Sequence, residues 1–427
     1  MPPDTVLNEM EYDMHEFNYR KNILYCEDIA VPDIVKEHGT PFYLYSLKTV
    51  LGHLERIKEA FSELDPLICF SMKSNSNLTL CRALVSSGAG LDIVSGGELY
   101  KALKVGCPPE RIVYASVGKT VSEIRQAINE EILLFNVESV PELIMIDSAA
   151  KKLKRKVDVA IRVNPDVTPE THDYITTGSG EKKFGIDFKT VEEIFDNSNK
   201  YSHVSLKGLH VHIGSQITDP SPFSEALVKV LEFIDKSGIE PEWLNIGGGF
   251  GIDYGPERAA EAADIAAAIV PLLRDRPYKI ILEPGRFIMG NSGILVTKVI
   301  YVKTNPSGKK FAIVDAGMND LLRPSLYRAY HDIVPVSQRD ASSDIYDIVG
   351  PICESGDYLG LKRELQELIP GECLAVMGAG AYGFTMASNY NSRPKPAEIV
   401  VIGGQARVAR RAETHRDLIR GEKIILP

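Results

Sequence analysis

Eight short, nearly continuous apolar runs alternate with amphipathic segments in the first two thirds of this 427-residue chain. In order, they are LICFSMK (67–73), AGLDIVS (89–95), RIVYAS (111–116), ILLFNVE (132–138), VDVAIRVN (157–164), GLHVHIG (208–214), WLNIGGG (243–249) and YKIILEPGR (278–286). Runs that are apolar on both faces are typical of buried parallel strands. Eight of them, joined by crossover helices over about 220 residues, predict a (β/α)8 TIM-type barrel. A doubly wound open sheet would also alternate in this way, but eight units in one series favour closure.

One connecting segment shows helical periodicity. Its apolar residues are Phe223, Leu227, Val230, Leu231 and Ile234. This spacing places them on one face of a helix, and Gly238 supplies a stop signal.

The pattern changes after Gly290. Residues 296–317 read as two β-rich runs joined at the turn signal Asn305-Pro-Ser-Gly, and ECLAVMGAGAY and AEIVVIGG also read as strands. The first 45 residues contain further β-rich pieces outside the barrel. We therefore predict an α/β chain with two domains. The barrel spans 46–288, and a mostly antiparallel β-sandwich or barrel domain is built discontinuously from 1–45 and 289–427.

Composition excludes several classes of protein. Lys and Arg number 48 against 58 Asp and Glu, and this net charge of −10 disfavours a nucleic-acid partner. We find neither a secretory signal nor an apolar stretch long enough to span a membrane, so no membrane partner is expected. The six cysteines are scattered without a CxxC pair, which predicts no metal site and no disulfide framework. Reduced thiols in a cytoplasmic protein are the simplest interpretation.

Polar residues cluster where the predicted strands end, which is where barrel enzymes carry their chemistry. Lys73 ends the first run. Partial desolvation there would depress its pKa and let it form a Schiff base with a carbonyl. The common alternative is a lysine at the barrel rim that keeps its charged amine in solvent. Glu283 and Arg286 flank a Pro-Gly turn, so a carboxylate and a guanidinium can face one pocket. A structural ion pair is the alternative there.

Two further strand ends carry candidate groups. The glycines at 247–251 offer bare N–H groups to a phosphate, without the spacing of a dinucleotide fingerprint. His210 and His212 alternate on one run, so only one of them can face the pocket, and His212 is the candidate to stack on a planar cofactor. An imine-forming lysine, a phosphate seat and an acid for a ring nitrogen are together what pyridoxal 5'-phosphate requires.

Ten motifs carry a resemblance to a known family. They are PFYLYS (41–46), FSMKSNSN (70–77), GLDIVSGGEL (90–99), KFGI (183–186), HVHIGSQ (210–216), NIGGGFG (245–251), EPGR (283–286), VDAGMNDLLRPSLY (314–327), GPICESGD (350–357) and GAGAYG (378–383). With these motifs the chain resembles the fold-type-III pyridoxal-phosphate-dependent decarboxylases over nearly its whole length. RPSLY, CESGD and GAYG resemble the members of that family that act on diaminopimelate.

The resemblance implies a role for each matching position. Lys73 would form the Schiff base and Cys353 would donate a proton, supplied with Glu354 across the interface of a homodimer. The implied cofactor-binding residues are Lys73, His212, Ser215, Gly247, Gly248, Gly249, Glu283, Gly285, Arg286 and Tyr382. The implied substrate-binding residues are Arg286, Arg323, Tyr327, Glu354 and Tyr382, with Asp92 and Glu98 in support.

The implied activity is the decarboxylation of meso-2,6-diaminopimelate to L-lysine and CO2, the last step of lysine biosynthesis. Arginines at 286 and 323 with a carboxylate at 354 suit a substrate with two amino-acid ends. The alternatives are a decarboxylase of ornithine, arginine or carboxynorspermidine, and a non-catalytic homologue that binds the cofactor. One departure from the family is visible, since Ser71 and Ser74 stand near Lys73 where other members often have small residues such as alanine.

Overall fold

The N-terminal segment forms a small antiparallel sheet and then supplies one strand to a larger sheet. The structure is a computed structural model that describes residues 15–167, 183–255 and 258–425. The elements of this segment are β1 (Phe17–Arg20), β2 (Ile23–Cys26), β3 (Ile29–Ala30), α1 (Val31–His38) and β4 (Phe42–Ser46).

Eight parallel strands close into a barrel, because β12 pairs with β5. The strands are β5 (Leu67–Ser71), β6 (Gly90–Ile93), β7 (Ile112–Tyr114), β8 (Leu134–Val137), β9 (Val157–Arg162), β10 (Val204–His210), β11 (Trp243–Asn245) and β12 (Lys279–Leu282). The helices around them are α2 (Leu47–Ala60), α3 (Leu78–Ser86), α4 (Gly96–Lys104), α5 (Val121–Asn129), α6 (Val140–Leu153), α7 (Phe188–Asp196), α8 (Ser221–Ser237), α9 (Ala262–Leu273) and α10 (Arg286–Met289). The predicted TIM-type barrel is confirmed.

The sixth barrel strand differs from its predicted position. The apolar run at 208–214 suggested a strand there, but β10 ends at His210. Val211 and Ile213 are buried in the hydrophobic core although they lie beyond the strand. The apolar residues after His210 therefore indicate that this segment is buried, not that it pairs as a strand.

The helix predicted after residue 219 is confirmed as α8. The predicted apolar residues Phe223, Leu227 and Ile234 are buried on its inner face. Gly238 ends it with φ +68°, a left-handed conformation that favours glycine, and its N–H donates to the carbonyl of Ile234.

A second, mostly antiparallel sheet contains β4 from the N-terminal segment beside strands from the C-terminal third. Its order is β17-β16-β14-β13-β4-β19-β20, with β18 on β13 and β15 on β18. Among the residues that the structure describes, the β14–β16 and β19–β4 pairs of this sheet are parallel and its other pairs are antiparallel. The elements are β13 (Gly293–Thr304), β14 (Lys310–Val314), α11 (Arg323–Tyr327), β15 (Ile333–Pro335), β16 (Ser343–Val349), β17 (Tyr358–Gln366), β18 (Cys373–Val376), β19 (Ala397–Ile402), β20 (Gln405–Arg410) and α12 (His415–Leu418).

The chain segments before and after the barrel thus contribute strands to one sheet, as the predicted fold class requires. The domain boundaries 46–288, 1–45 and 289–427 stay a prediction. The first three strands pack beside this sheet without extending it. The N–H of Leu24 donates to the carbonyl of Val336 at 2.9 Å, and Phe17 shares a core cluster with Phe42 and Ile294. None of the helices in the described part of the chain is long and apolar enough to cross a membrane.

Candidate active site

A cavity of about 410 Å³ lies where the barrel strands end, and both domains line it. This edge of the barrel is where the fold gathers polar groups from different strands. Ten of the predicted site residues line the cavity. They are Lys73, His212, Ser215, Gly249, Glu283, Gly285, Arg286, Arg323, Tyr327 and Tyr382.

Lys73 lies just after β5, and its Nζ is 3.4 Å from Oδ2 of Asp92. Its side chain is 37% accessible, but that surface faces the cavity. Burial lowers the pKa of Lys73, yet the charges of Asp92, Tyr382 and Glu283 more than offset it, so the pKa lies above its usual range. The depressed pKa expected from the sequence is therefore wrong for this arrangement, because the sequence did not show how closely the carboxylates approach.

Asp92 is fully buried on β6 and accepts a hydrogen bond from the hydroxyl of Ser71. Burial, followed by the nearby charge of Glu283, raises the pKa of Asp92 to about 6. Glu98 accepts the backbone N–H of Val94 at 2.8 Å, and burial raises its pKa to about 7. Neither carboxylate lines the cavity, and the supporting role of both stays a prediction.

Glu283 stands at the end of β12, and its carboxylate receives several donors. The side-chain amides of Asn136 and Asn245 both donate to Oε1, at 2.9 and 2.6 Å. Nε2 of His210 lies 3.3 Å from Oε2. Burial would raise the pKa of Glu283, but His210, then Lys73 and the bond from Asn245 hold it well below its usual range. This side chain is thus fixed in place as an anion at the wall of the cavity.

Of the two histidines, His212 lines the cavity and His210 does not, as the alternation along the strand predicted. His210 is 1% exposed and lies against Glu283, so it is more than the packing residue that the sequence suggested. His212 lies beyond the end of β10, and the N–H of Gly248 donates to its Nδ1 at 3.3 Å. That contact orients the imidazole ring at the cavity surface.

The glycine loop after β11 packs closely on its neighbours. Gly247 and Gly249 have φ of +71° and +101°, and Gly249 alone of the three predicted glycines in this loop lines the cavity. The N–H of Gly247 donates to Oδ1 of Asn245. The N–H groups of Gly247 and Gly248 are thus already bonded within the protein, and a phosphate contact from either stays a prediction.

We expect Gly248→Ala to weaken cofactor binding strongly. A Cβ at this position would lie 2.1 Å from the carbonyl oxygen of Glu283, so the ends of two barrel strands would have to separate. Overpacking of this kind costs about 1–3 kcal/mol. The dissociation constant of pyridoxal phosphate, measured by fluorescence titration, should rise about tenfold or more. Gly52→Ala in α2 is the control, because no described residue lies within 4 Å of its Cβ position. An equal shift in both variants would contradict the close contact.

Two buried arginines converge on the same cavity, one from each domain. Nη2 of Arg286 donates to the hydroxyl of Ser215 at 3.0 Å, and Nη1 donates to the hydroxyl of Tyr254. Cζ of Arg323 lies 4.4 Å from the centre of the Tyr254 ring. Nε of Arg286 and Nε of Arg323 are buried and have no hydrogen-bond partner within the described ranges. Buried donors left in this state indicate a site for anionic groups.

Tyr382 reaches the cavity from the second domain. Its ring centre lies 4.8 Å from Cζ of Arg286, and its backbone N–H donates to the carbonyl of Ser74 at 2.8 Å. That backbone bond ties the GAYG motif directly to the loop that carries Lys73.

Cys353 and Glu354 do not line this cavity. They lie in the loop between β16 and β17, where both are exposed. The N–H of Cys353 donates to Oδ1 of Asn391 at 2.8 Å, and Glu354 accepts from the hydroxyl of Tyr390 at 3.2 Å. A single chain therefore does not bring these two predicted residues to Lys73. By contrast, the ten predicted residues named above line the cavity within one chain.

Several residues of the site were missed by the sequence analysis. Asn136 and Asn245 bind Glu283, as described above. Glu138 and Arg162 line the cavity and form a buried ion pair at 2.7 Å. All four are polar residues at the end of apolar runs, so the rule that identified Lys73 also predicts them. Tyr254 stands in a loop without such a signal.

Pyridoxal phosphate fits the residues that are present. Lys73, an anionic Glu283 and the imidazole of His212 face one cavity. Arg286, whose Nε has no hydrogen-bond partner among the described residues, lines the same cavity together with Ser215 and Gly249. A phosphate matches this donor set, and a protonated ring nitrogen matches the carboxylate.

Comparisons with known proteins agree with this geometry. Residues 47–290 match the family model "Pyridoxal-dependent decarboxylase, pyridoxal binding domain". The diaminopimelate decarboxylase of Aquifex aeolicus is 49% identical over 401 residues, covering 93% of this chain and 95% of that protein. That of Pseudomonas aeruginosa is 43% identical over 96% of this chain and its whole length.

Solved structures agree as well. Diaminopimelate decarboxylase from Helicobacter pylori in complex with L-lysine has a TM-score of 0.88 at 42% identity, covering 91% of this chain and 98% of that one. The M. jannaschii enzyme has a TM-score of 0.91 at 35% identity, covering 96% and 98%. The chain therefore belongs to the diaminopimelate decarboxylases, a family of pyridoxal-phosphate-dependent enzymes.

Proposed function

We propose that this chain decarboxylates meso-2,6-diaminopimelate to L-lysine and CO2, the last step of lysine biosynthesis. The observation that carries the proposal is the pair of buried guanidiniums, Arg286 and Arg323, which line the cavity together with Lys73. Neither arginine forms an ion pair with a carboxylate of the described residues. A substrate with two amino-acid ends supplies carboxylates to this positive side of the cavity.

The cofactor would be held by residues from four strand ends. Lys73 would bind it covalently, Glu283 would keep its ring nitrogen protonated, and His212 would stack on the ring. Arg286, Ser215 and the glycines at 247–249 and 285 would surround the phosphate. When bound, pyridoxal phosphate supplies a conjugated ring that accepts the electron pair left behind by CO2. The protein adds orientation and a fixed negative charge at Glu283.

The distal end of the substrate would be recognised by the second domain. Arg323 and Tyr327 would bind its carboxylate, Tyr382 would contact both substrate and cofactor, and Glu354 would bind the distal amine. Ornithine and arginine lack this distal carboxylate, so they would leave the charge of Arg323 buried without a carboxylate partner. That mismatch disfavours the alternative substrates.

We further propose a homodimer in which each active site receives Cys353 and Glu354 from the partner chain. The support is their exposure on a loop outside the cavity of their own chain. Burial raises the pKa of the thiol of Cys81 to about 12, which makes it a poor acid near neutral pH, whereas Cys353 is exposed. An accessible thiol beside the reacting carbon can return the proton that replaces CO2.

We also propose that the enzyme works in the cytoplasm. All six cysteines are free, which is the state expected in a reducing compartment.

Product analysis tests the proposed function. The purified chain, loaded with pyridoxal phosphate, is incubated with meso-diaminopimelate. We expect CO2 and L-lysine in equal amounts, measured by gas release and by chiral chromatography. Release of CO2 without L-lysine, or no turnover by a folded and fully loaded enzyme, would disprove the assignment.

A further inference from the structure

Arg323 makes a close contact with a buried histidine. Its Nη1 lies 2.7 Å from Nε2 of His331, and Nδ1 of the same imidazole lies 2.8 Å from the backbone carbonyl oxygen of Met377. His331 is 0% exposed and Arg323 is 5% exposed. The contact joins the start of α11 to the segment before β15, so it is set within the second domain.

The two partners of His331 determine its protonation. A backbone carbonyl can only accept, so Nδ1 must carry the hydrogen. A guanidinium can only donate, so Nε2 must offer its lone pair to Arg323. The imidazole is therefore neutral, in the Nδ1–H form. Burial, and then the positive charge of Arg323, agree with this by placing the pKa of His331 well below its usual range.

A second neutral neighbour of Arg323 is an aromatic ring, and Arg286, whose charge also acts on Arg323, is positive like Arg323 itself. The ring of Tyr254 lies under its guanidinium and also meets the imidazole of His331 edge-on, with ring centres 5.0 Å apart. No carboxylate among residues 15–167, 183–255 and 258–425 forms an ion pair with Arg323. A buried arginine is usually paired with an acid, so this arrangement fixes the guanidinium without cancelling its charge.

We propose that His331 is a positioning residue for substrate recognition: it orients Arg323 through a neutral acceptor and so keeps the full positive charge available for the distal carboxylate. The inference rests on the proposed function, because it takes that carboxylate as the ligand of Arg323. A carboxylate in place of the imidazole would orient the guanidinium equally well, but it would compete with the substrate for its charge.

Two variants of nearly equal shape separate orientation from charge. His331→Gln keeps a neutral acceptor, and His331→Glu replaces it with an anion. For the holoenzyme we expect H331Q to keep KM for meso-diaminopimelate within about threefold of the wild type. We expect H331E to raise KM at least about tenfold with kcat changed much less, because the contact binds the substrate away from the reacting carbon.

A second readout does not depend on turnover. L-Lysine carries a carboxylate of the kind that Arg323 would bind, and its affinity for the holoenzyme can be measured by calorimetry. We expect H331E to weaken this affinity in step with the rise in KM, while the absorbance of the bound cofactor stays that of the wild type. If H331E does not fold, H331L replaces it in the comparison, since loss of the acceptor should also raise KM relative to H331Q.

The outcomes distinguish the two claims. A wild type that releases no CO2 from meso-diaminopimelate would refute the proposed function itself. A wild type that is active on this substrate, with equal KM and equal L-lysine affinity in H331Q and H331E, would overturn the role of His331. A fall in kcat at constant KM in H331E would overturn that role as well.

Discussion

Replacing Lys73 with alanine is expected to lower kcat by at least about 10³-fold, since the variant loses the amine that would hold the cofactor covalently. Lys73 lines the cavity from the end of β5, and the charges of Asp92 and of the second-domain residue Tyr382 act on it. The covalent bond proposed for the cofactor depends on this amine. Release of CO2 from meso-diaminopimelate measures the loss, and the absorbance of the desalted protein measures the retained cofactor.

The control for this prediction is Lys104→Ala, an exposed lysine at the end of α4, which should leave both measurements unchanged. Borohydride reduction adds a direct readout, because it fixes the cofactor permanently to the lysine that holds it. Peptide mapping should then find the label on Lys73. A label on Lys183, which lines the same cavity, would contradict the assignment.

Replacing Cys353 with alanine should lower kcat by about 10²- to 10⁴-fold, the usual contribution of a positioned acid. Cofactor affinity should change much less, because the role proposed for this thiol is to return a proton and not to hold the cofactor. Ser198→Ala, an exposed change outside this loop and outside the cavity, is the control and should keep full activity. Wild-type kcat in Cys353→Ala would remove this thiol from the reaction.

Co-expression of the two inactive variants tests whether sites are shared. In a symmetric dimer, a mixed pair of Lys73→Ala and Cys353→Ala chains has one site with both defects and one with neither. Random pairing should then restore about one quarter of the wild-type specific activity. If mixed dimers form and stay inactive, the thiol is not supplied by the partner chain.

The barrel could be predicted because each of its strands carries its own signal in a short stretch of sequence. A parallel strand covered by helices on one side and core on the other must be apolar along its whole length, and eight such runs stand in order in the sequence. The predicted end of β10 was wrong because Val211 and Ile213 are buried in a loop, and burial alone does not distinguish a strand from a packed loop. The resemblance, not periodicity, assigned residues of the second domain such as Arg323.

The environment of each site residue could not be predicted in the same way. The pKa of Lys73 depends on Asp92 and Glu283, which approach it only when the barrel closes. His331 carries no signal of its own in the sequence, because its contact with Arg323 depends on how a loop folds back on α11. Sequence patterns identify which groups reach the cavity, and tertiary packing determines the charge and orientation that they have there.

The most direct test of the proposed substrate compares kcat/KM for meso-diaminopimelate with that for L-ornithine, L-arginine and carboxynorspermidine on one preparation of the loaded enzyme. A site built to bind a distal carboxylate should reject substrates without it by about 10⁴-fold, because the charge of Arg323 would stay buried without a carboxylate partner. We expect meso-diaminopimelate to lead by that margin. An equal or higher kcat/KM for any of the other three would contradict recognition of two amino-acid ends.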